Sequence, residues 1–92
     1  MSLMRAKLVV SSVVVGDNSE TLRLNAVAKS GSYDESGSDE DNTFSKFTPS
    51  ANMDMLIMNP DLFGKFRVGQ KFYVDFTEVE EQPAETEAEA QA

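Results

Sequence analysis

The sequence predicts an all-β fold, and three observations support this prediction. Segments 4–15, 20–28 and 71–77 alternate apolar and polar side chains with the two-residue period of a strand. Segment 4–15 is rich in Val, and segment 71–77 is rich in aromatic residues, both of which favour strands over helices. Gly, Asp, Asn, Ser and Pro cluster between the apolar segments, as they do in turns. Five strands with this spacing fit a small, partly open barrel of the oligonucleotide-binding (OB) type or a sandwich, and the sequence leaves both open.

The first two strands are predicted to form a hairpin. In segment 4–15, alternate residues from Ala6 to Val10 share one face, and a run of Val follows. Segment 20–28 alternates in the same way, with its Leu residues on one face. Residues 16–19 (GDNS) join the two segments and are typical of a loop of about four residues. The apolar faces of both strands are then expected to contribute to one core.

Three further strands and one helical turn are predicted in the second half of the domain. Segment 43–48 (TFSKFT) predicts a strand that ends at Pro49. Segment 52–58 (NMDMLIM) also fits one face of a short helix, but its alternation favours a strand. Segment 59–64 (NPDLFG) has a capping residue, a Pro at the first helical position and a final Gly, which predicts a single helical turn. Segment 71–77 (KFYVDFT) alternates regularly and is the last predicted strand.

The composition excludes most familiar catalytic sites. The chain has 92 residues, the length of a single domain, and it contains no His and no Cys. The missing Cys excludes disulfides, thiolate metal sites and cysteine nucleophiles, and the missing His removes the commonest general base and metal ligand. We therefore expect neither enzymatic activity nor a cofactor.

Acidic residues are concentrated in two segments. The whole chain carries 8 basic and 16 acidic side chains, a net charge of −8. Segment 78–92 holds six Glu and few large apolar residues, so we expect a disordered acidic tail after a β domain at 1–77. Segment 30–42 (SGSYDESGSDEDN) holds five acidic residues and predicts a long, flexible loop. The rest of the chain has eight basic and five acidic side chains, so this framework has a net charge of +3.

Neither a divalent-cation site nor a membrane segment is expected. The carboxylates of segment 30–42 do not follow the spacing of a calcium-binding loop, since Ser36 and Ser38 stand where acidic or amide side chains are needed. A solvated loop is predicted instead. The sequence has no apolar run of about 18 residues, which a membrane helix requires. The apolar start of the chain lacks a small-residue cleavage site, which favours a first strand over a secretory signal.

Aromatic and basic residues are interleaved at 44–47 and 63–73, a pattern found in proteins that bind single-stranded nucleic acid. The candidate binding residues are Lys46, Lys65, Arg67, Lys71 and Tyr73. Tyr73 is the best candidate for stacking on a base, because it lies opposite the apolar face of its strand. The alternative interpretation, which we favour, is that five Phe residues form the core, since a small domain has few other large side chains. They are Phe44, Phe63, Phe66, Phe72 and Phe76.

Met residues cluster in segment 52–58. Met53, Met55 and Met58 are candidate contacts with a partner protein, since Met side chains adapt to many surfaces. Two interpretations stay open: the segment is a central strand buried on both faces, or a subunit or partner covers one of its faces.

Three motifs lie within residues 4–77: a Met-Arg-Ala-Lys start at Met4, the segment 41–49 (DNTFSKFTP) and the segment 69–77 (GQKFYVDFT). With these motifs, most of residues 4–77 resemble a family of small, uncharacterised proteins of tailed bacteriophages and prophages. The resemblance implies a phage origin and carries over no functional residue.

Two functions of different class follow from these features. The first, which we favour, is a non-catalytic accessory structural protein of the virion, such as a capsid decoration protein or another head or tail subunit, that binds other phage proteins or a second copy of itself. The second is an OB-type module that binds single-stranded DNA, with an acidic tail that inhibits binding or recruits partners. A weaker third is inhibition of a host enzyme by acidic mimicry. We expect such a protein in the host cytoplasm during infection or in the virion, and not secreted.

Overall fold

A single antiparallel sheet forms the body of the protein in the computed structural model, which describes residues 2–80. Its strands are β1 (Met4–Val15), β2 (Glu20–Ala26), β3 (Asn52–Ile57) and β4 (Lys71–Phe76). They lie in the order β3-β2-β1-β4, and every neighbouring pair is antiparallel. The all-β prediction is confirmed, and the sheet is open, with β3 and β4 at its two edges.

The predicted fifth strand at 43–48 is not present, and the barrel, OB-type and sandwich predictions are not confirmed. Thr43 does donate its backbone N–H to the carbonyl of Arg5, at 2.9 Å, in line with a strand. The chain then turns, because the Ser45 N–H bonds back to the Asn42 carbonyl at 3.1 Å and Phe47 has a positive φ of 60°. The segment is therefore a loop, in which Phe44 packs against the core and Phe47 is exposed.

The predicted hairpin is confirmed. The Gly16 N–H donates to the Ser19 carbonyl at 2.8 Å and closes the loop between β1 and β2. The register of the two strands shifts between Val10 and Ser12, so Ser11 is the extra residue of a β-bulge. The bulge resets the alternation and keeps Val13 on the same face as Val10.

One face of the sheet, called here the apolar face, carries the core. Its fully buried side chains come from the first three strands: Ala6, Leu8, Val10, Leu22, Leu24 and Ile57. Aromatic residues from β4 and the connecting segments pack against them, namely Phe44, Phe63, Phe66 and Phe72. The favoured interpretation of the Phe residues as core is thus confirmed for these four, but it is wrong for Phe76, which is 42% exposed near the end of the edge strand β4. The opposite face, the polar face, carries charged and polar side chains such as Arg23 and Asn25.

The predicted helical turn is confirmed as a 3-10 helix at Pro60–Leu62. The side chain of Asn59 accepts a hydrogen bond from the Asp61 N–H at 3.0 Å, and Pro60 occupies a first-turn position where no N–H is needed. The chain leaves this turn through Gly64, whose φ of 81° suits glycine.

The long connection between β2 and β3 crosses from the polar face to the apolar face. Asp41 contacts Lys7 and Tyr73 on the polar face, whereas Phe44 packs against the core. Between them, Asn42 lies where β1 and β2 diverge. Residues 81–92, which hold most of the predicted acidic tail, lie outside the described residues.

Candidate functional site

Five exposed apolar side chains lie at one end of the sheet, on both of its faces. Val14 pairs with Thr21 and Thr21 pairs with Leu56, so these residues form one row across the polar face. Val14 is 54% exposed and Leu56 is 58% exposed. We call the whole set of exposed residues here the apolar end: Val14, Val15, Met55, Leu56 and Met58. Apolar side chains grouped in this way on a surface are typical of protein contact sites.

Two of the three Met residues predicted as partner contacts belong to the apolar end. Met55 is 46% and Met58 is 64% exposed, whereas Met53 is half-buried and packs against the core. β3 is an edge strand and not a central one, which explains the exposure of Met55 although its side chain lies on the apolar face.

The outer edge of β3 presents backbone groups that no described residue pairs with. Ala26 and Ala51 lie opposite each other, and the Ala26 N–H donates to the Ala51 carbonyl at 2.9 Å, so they form a hydrogen-bonded pair of the ladder. Because hydrogen-bonded and non-bonded pairs alternate along an antiparallel ladder, the N–H and C=O groups of Asn52, Asp54 and Leu56 point away from β2. These groups are available to another strand.

The outer edge of β4 also has outward backbone groups, but it carries a Lys side chain. The Val10 N–H donates to the Gln70 carbonyl at 2.8 Å, and by the same alternation the backbone groups of Lys71, Tyr73 and Asp75 point outward. Lys on an edge strand opposes pairing with a second strand. The two edges of the sheet therefore differ, and β3 is the more open to a partner.

The five residues predicted to bind nucleic acid lie in three places. Lys71 and Tyr73 are on β4, and Lys65 and Arg67 are in the connection between the 3-10 helix and β4. Lys46 is in the long loop, where it lines a shallow depression of about 510 Å³ together with Asp39 and Glu40. Four of the five candidates thus come from one stretch of chain, and Lys46 comes from another.

Tyr73 is exposed, as predicted, but its ring is already engaged. The guanidinium of Arg5 lies 4.5 Å from the ring centroid, and the Tyr73 hydroxyl donates to Asp41 at 3.1 Å. Arg5 also forms an ion pair with Asp75 at 2.7 Å. The hydrogen bond between them, together with their opposite charges, holds the pKa of Arg5 above and the pKa of Asp75 below its ordinary value. One face of the ring is thus covered by a cation, which leaves the other face for a base.

Ion pairing divides the basic residues into two groups. Arg5, Lys7, Arg23 and Lys29 each form an ion pair with a carboxylate. The other four are exposed and form no ion pair within residues 2–80, and they are the predicted nucleic-acid contacts Lys46, Lys65, Arg67 and Lys71. Their charges are therefore not neutralised by neighbouring carboxylates in this part of the chain.

Segment 30–42 contains a buried polar centre that sequence reasoning missed. Asn42 is fully buried: its Oδ1 accepts from the Lys7 N–H at 2.7 Å, and its Nδ2 donates to the Val27 carbonyl at 2.8 Å and to Asp39 at 3.2 Å. Asp39 is 4% exposed and also accepts from the Tyr33 hydroxyl at 2.9 Å. The sequence gives no signal for this, because Asn42 stands in a run of acidic residues typical of solvated loops.

The Asp39 carboxylate is stabilised by its hydrogen bonds. Burial acts to raise its pKa, but bonds from Tyr33, Asn42 and the backbone N–H groups of Lys29 and Asp41 outweigh burial and hold the pKa below its ordinary value. Burial and the bond to Asp39 raise the pKa of Tyr33. The centre thus holds an ionised carboxylate with its donors, and its role is to fix the loop to β1.

Glu20 is a second buried carboxylate that sequence reasoning missed, although it shares a strand face with Leu22 and Leu24. It is 5% exposed, and its Oε2 accepts from the Gly64 N–H at 2.9 Å, which ties the segment after the 3-10 helix to β2. Its Oε1 is buried and has no hydrogen-bond partner among the described residues.

An apolar cavity of about 120 Å³ lies at the other end of the apolar face. It is lined by Met4, Ala6, Leu8, Phe44, Ala51, Asn52, Met53, Val74 and Phe76. Its walls include the half-buried Met53, so this Met contributes to the core and not to the apolar end.

Comparisons with known proteins do not assign the chain to a family. Within residues 2–80, the acidic side chains form no group of three or more that could hold a metal ion, and no helix is long and apolar enough to cross a membrane. No protein-family model, curated protein or solved structure matches the chain.

Proposed function

We propose that this chain is a non-catalytic accessory structural protein of a tailed-bacteriophage particle that acts by protein–protein binding. The observation that carries this proposal is the apolar end, where five apolar side chains at the end of an open sheet remain exposed. Burying such side chains against a partner contributes about 1.5–3 kcal/mol for each one that is fully covered. The particle origin is supported by the resemblance of residues 4–77 to small phage proteins.

The first experiment is mass spectrometry of purified particles from a phage whose genome encodes this chain. We expect its peptides at a stoichiometric ratio to the major particle proteins. Absence of the chain from complete particles would contradict the proposal.

A charged variant of the apolar end tests which surface binds. Val14→Lys combined with Leu56→Lys places two charges in the exposed row without touching the core, and we expect at least a tenfold lower copy number per particle. Asn25→Lys is the matched control, because Asn25 is exposed on the same face but lies outside the apolar end. Equal incorporation of the wild type, the double variant and Asn25→Lys would show that the apolar end is not the binding surface.

A second candidate function is the binding of single-stranded DNA. It is favoured by one observation, the four exposed basic residues that form no ion pair within the described part of the chain. Lys65, Arg67 and Lys71 come from one stretch, close in sequence to Tyr73, whose ring could stack on a base.

The test is a titration of fluorescently labelled single-stranded DNA at low and at physiological salt. If this candidate function is correct, the full chain binds at low salt and loses affinity as salt rises, since basic side chains displace counterions from phosphates. The double variant Arg67→Glu and Lys71→Glu then binds at least tenfold more weakly, and removal of residues 78–92 strengthens binding. Absence of binding by both the full and the truncated chain at low salt would exclude this function.

A further inference from the structure

We infer that the β3 edge binds the β3 edge of a second copy of this chain, in antiparallel orientation and with Leu56 opposite Leu56 of the second copy. This inference rests on the proposed function and names one partner for the apolar end. It extends the sheet from four strands to eight across a twofold axis.

The first argument is the contrast between the two edges. Both offer outward N–H and C=O groups, but the outward residues of β4 include Lys71, which forms no ion pair within residues 2–80 and whose charge keeps that edge solvated. On β3 the only charged residue is Asp54, which forms an ion pair with Arg23 of the neighbouring strand at 3.8 Å. From Met55 to Met58 the edge carries only apolar side chains.

The second argument is the register that these side chains allow. With Leu56 opposite its own copy, the two Leu side chains meet on the polar face, and Met55 of each copy lies opposite Ile57 of the other on the apolar face. Met58 of each copy then lies opposite Asp54. This register covers the three exposed apolar residues of β3 and its neighbour, and forms about six inter-strand hydrogen bonds.

Repulsion between the two Asp54 carboxylates favours this register over the two registers next to it. With Leu56 at the axis, the two Asp54 residues are about 13 Å apart along the strands, beyond the Debye length of about 8 Å at physiological salt. A register centred on Asp54 places the two carboxylates directly opposite each other, and one centred on Met55 makes them diagonal neighbours at about 7–8 Å. Both alternatives bring like charges together, so the Leu56 register is favoured.

The length of the pairing sets the expected affinity. Pro60 has no N–H and begins the 3-10 helix, so the paired segment runs only from Asp54 to Met58 in each copy. Five paired residues in each copy are fewer than the roughly 20–30 residues per side of a stable complex. We therefore expect weak, reversible dimers, with a Kd on the order of 10–100 µM and not in the nanomolar range.

Sedimentation equilibrium of the full chain tests the dimer. We expect a monomer–dimer equilibrium for the wild type and a monomer up to about 500 µM, several times the expected Kd, for Leu56→Pro. The Leu56 N–H points away from β2, so the Pro variant loses no hydrogen bond within the sheet. Leu56→Lys blocks the same contact without a backbone change, and Arg23→Lys is the control that leaves the edge intact. A monomeric wild type at 500 µM, or a dimeric Leu56→Lys, would overturn the inference.

Disulfide formation tests the register, because the natural chain contains no Cys. Residues directly opposite each other in a hydrogen-bonded pair have Cα atoms about 5.5 Å apart, within the range of a disulfide. Under mild oxidation we expect Leu56→Cys to form a covalent dimer at least tenfold faster than Asp54→Cys or Met55→Cys. Faster cross-linking of either of the other two variants would replace the proposed register by the one centred on that residue.

The dimer and the proposed function fail in distinguishable ways. A chain that is found in particles but is monomeric in solution supports the function and contradicts the dimer. A chain that dimerises through Leu56 but is missing from particles supports the dimer and contradicts the function.

Discussion

Replacement of Asn42 by Ala is expected to remove most of the stability of the domain. Asn42 is fully buried, and its side chain connects the Lys7 N–H, the Val27 carbonyl and the Asp39 carboxylate. An Ala side chain satisfies none of them. A buried donor or acceptor without a partner costs about 1–3 kcal/mol, so two backbone groups and one lost donor to a carboxylate give a loss of about 3–5 kcal/mol.

This loss is comparable with the total stability of a domain of this size, about 5 kcal/mol. The assay is urea unfolding followed by far-UV circular dichroism, with the free energy taken from the midpoint and slope. If Asn42→Ala is unfolded without urea, titration with a stabilising osmolyte recovers the missing part of the curve.

Two further variants separate hydrogen bonding from volume. Asn42→Asp keeps the size and the acceptor for Lys7 but points an oxygen at the Val27 carbonyl and at Asp39, so we expect a loss at least as large as that of Ala at pH 7. Asn25→Ala is the exposed control, with an expected loss below about 1 kcal/mol although Asn25 bonds the side chain of Asn52. A loss below about 1 kcal/mol for Asn42→Ala would refute the reasoning that this residue fixes the loop.

Three other predictions concern buried groups and one glycine. Because the pKa of Asp39 is lowered in the folded state, its stabilisation is complete well above the unfolded value of about 3.9 and is lost as pH falls through the folded pKa. Urea midpoints from pH 6 to pH 2.5 should fall less steeply for Asp39→Asn, and equal slopes would exclude this role. Gly37→Ala should lower the melting temperature more than Gly31→Ala: both have positive φ, but only at Gly37 would a Cβ lie 2.4 Å from the Phe47 ring. Equal losses would mean that the ring moves aside without cost. Glu20→Gln should leave stability unchanged or raise it by about 1 kcal/mol, since a neutral amide is cheaper to bury than a partly unpaired carboxylate; a loss above about 1 kcal/mol in urea unfolding would show that its charge is needed.

The strands with strict alternation could be predicted from the sequence, because their two-residue period and their strand-favouring residue types both indicate a strand. Segments 4–15 and 71–77 are examples, and the faces assigned to Ala6, Leu8 and Val10 are those that the structure buries. The strand predicted at 43–48 was wrong because Phe44 packs against the core from a loop and Phe47 has a positive φ, and a positive φ in Phe has no sequence signature.

The candidate site could be predicted only in part, for a similar reason. Clusters of Met and of basic residues are visible in the sequence, and the exposure of Lys71 follows from the alternation of its strand. Met55 lies on the apolar face of its strand and is exposed because β3 is an edge strand. Which strand lies at an edge depends on pairing between distant segments, and Asn42 does not differ locally from a solvated residue.

The structure also changes the meaning of the framework charge of +3. Segment 30–42 is not electrically separate from the framework, because Asp41 and Glu40 pair with Lys7 and Lys29 at 3.3 Å and 3.5 Å. The positive charge left unpaired within the described residues lies at Lys46, in the chain leading into β4 and at Lys71 on β4, whereas Leu56 and the proposed dimer contact lie on β3, the opposite edge of the sheet. Protein binding at β3 and DNA binding near β4 therefore use different side chains. Charge reversal at Arg67 and Lys71 should leave dimerisation unchanged, and Leu56→Lys should leave any DNA affinity undiminished, so each function can fail without the other.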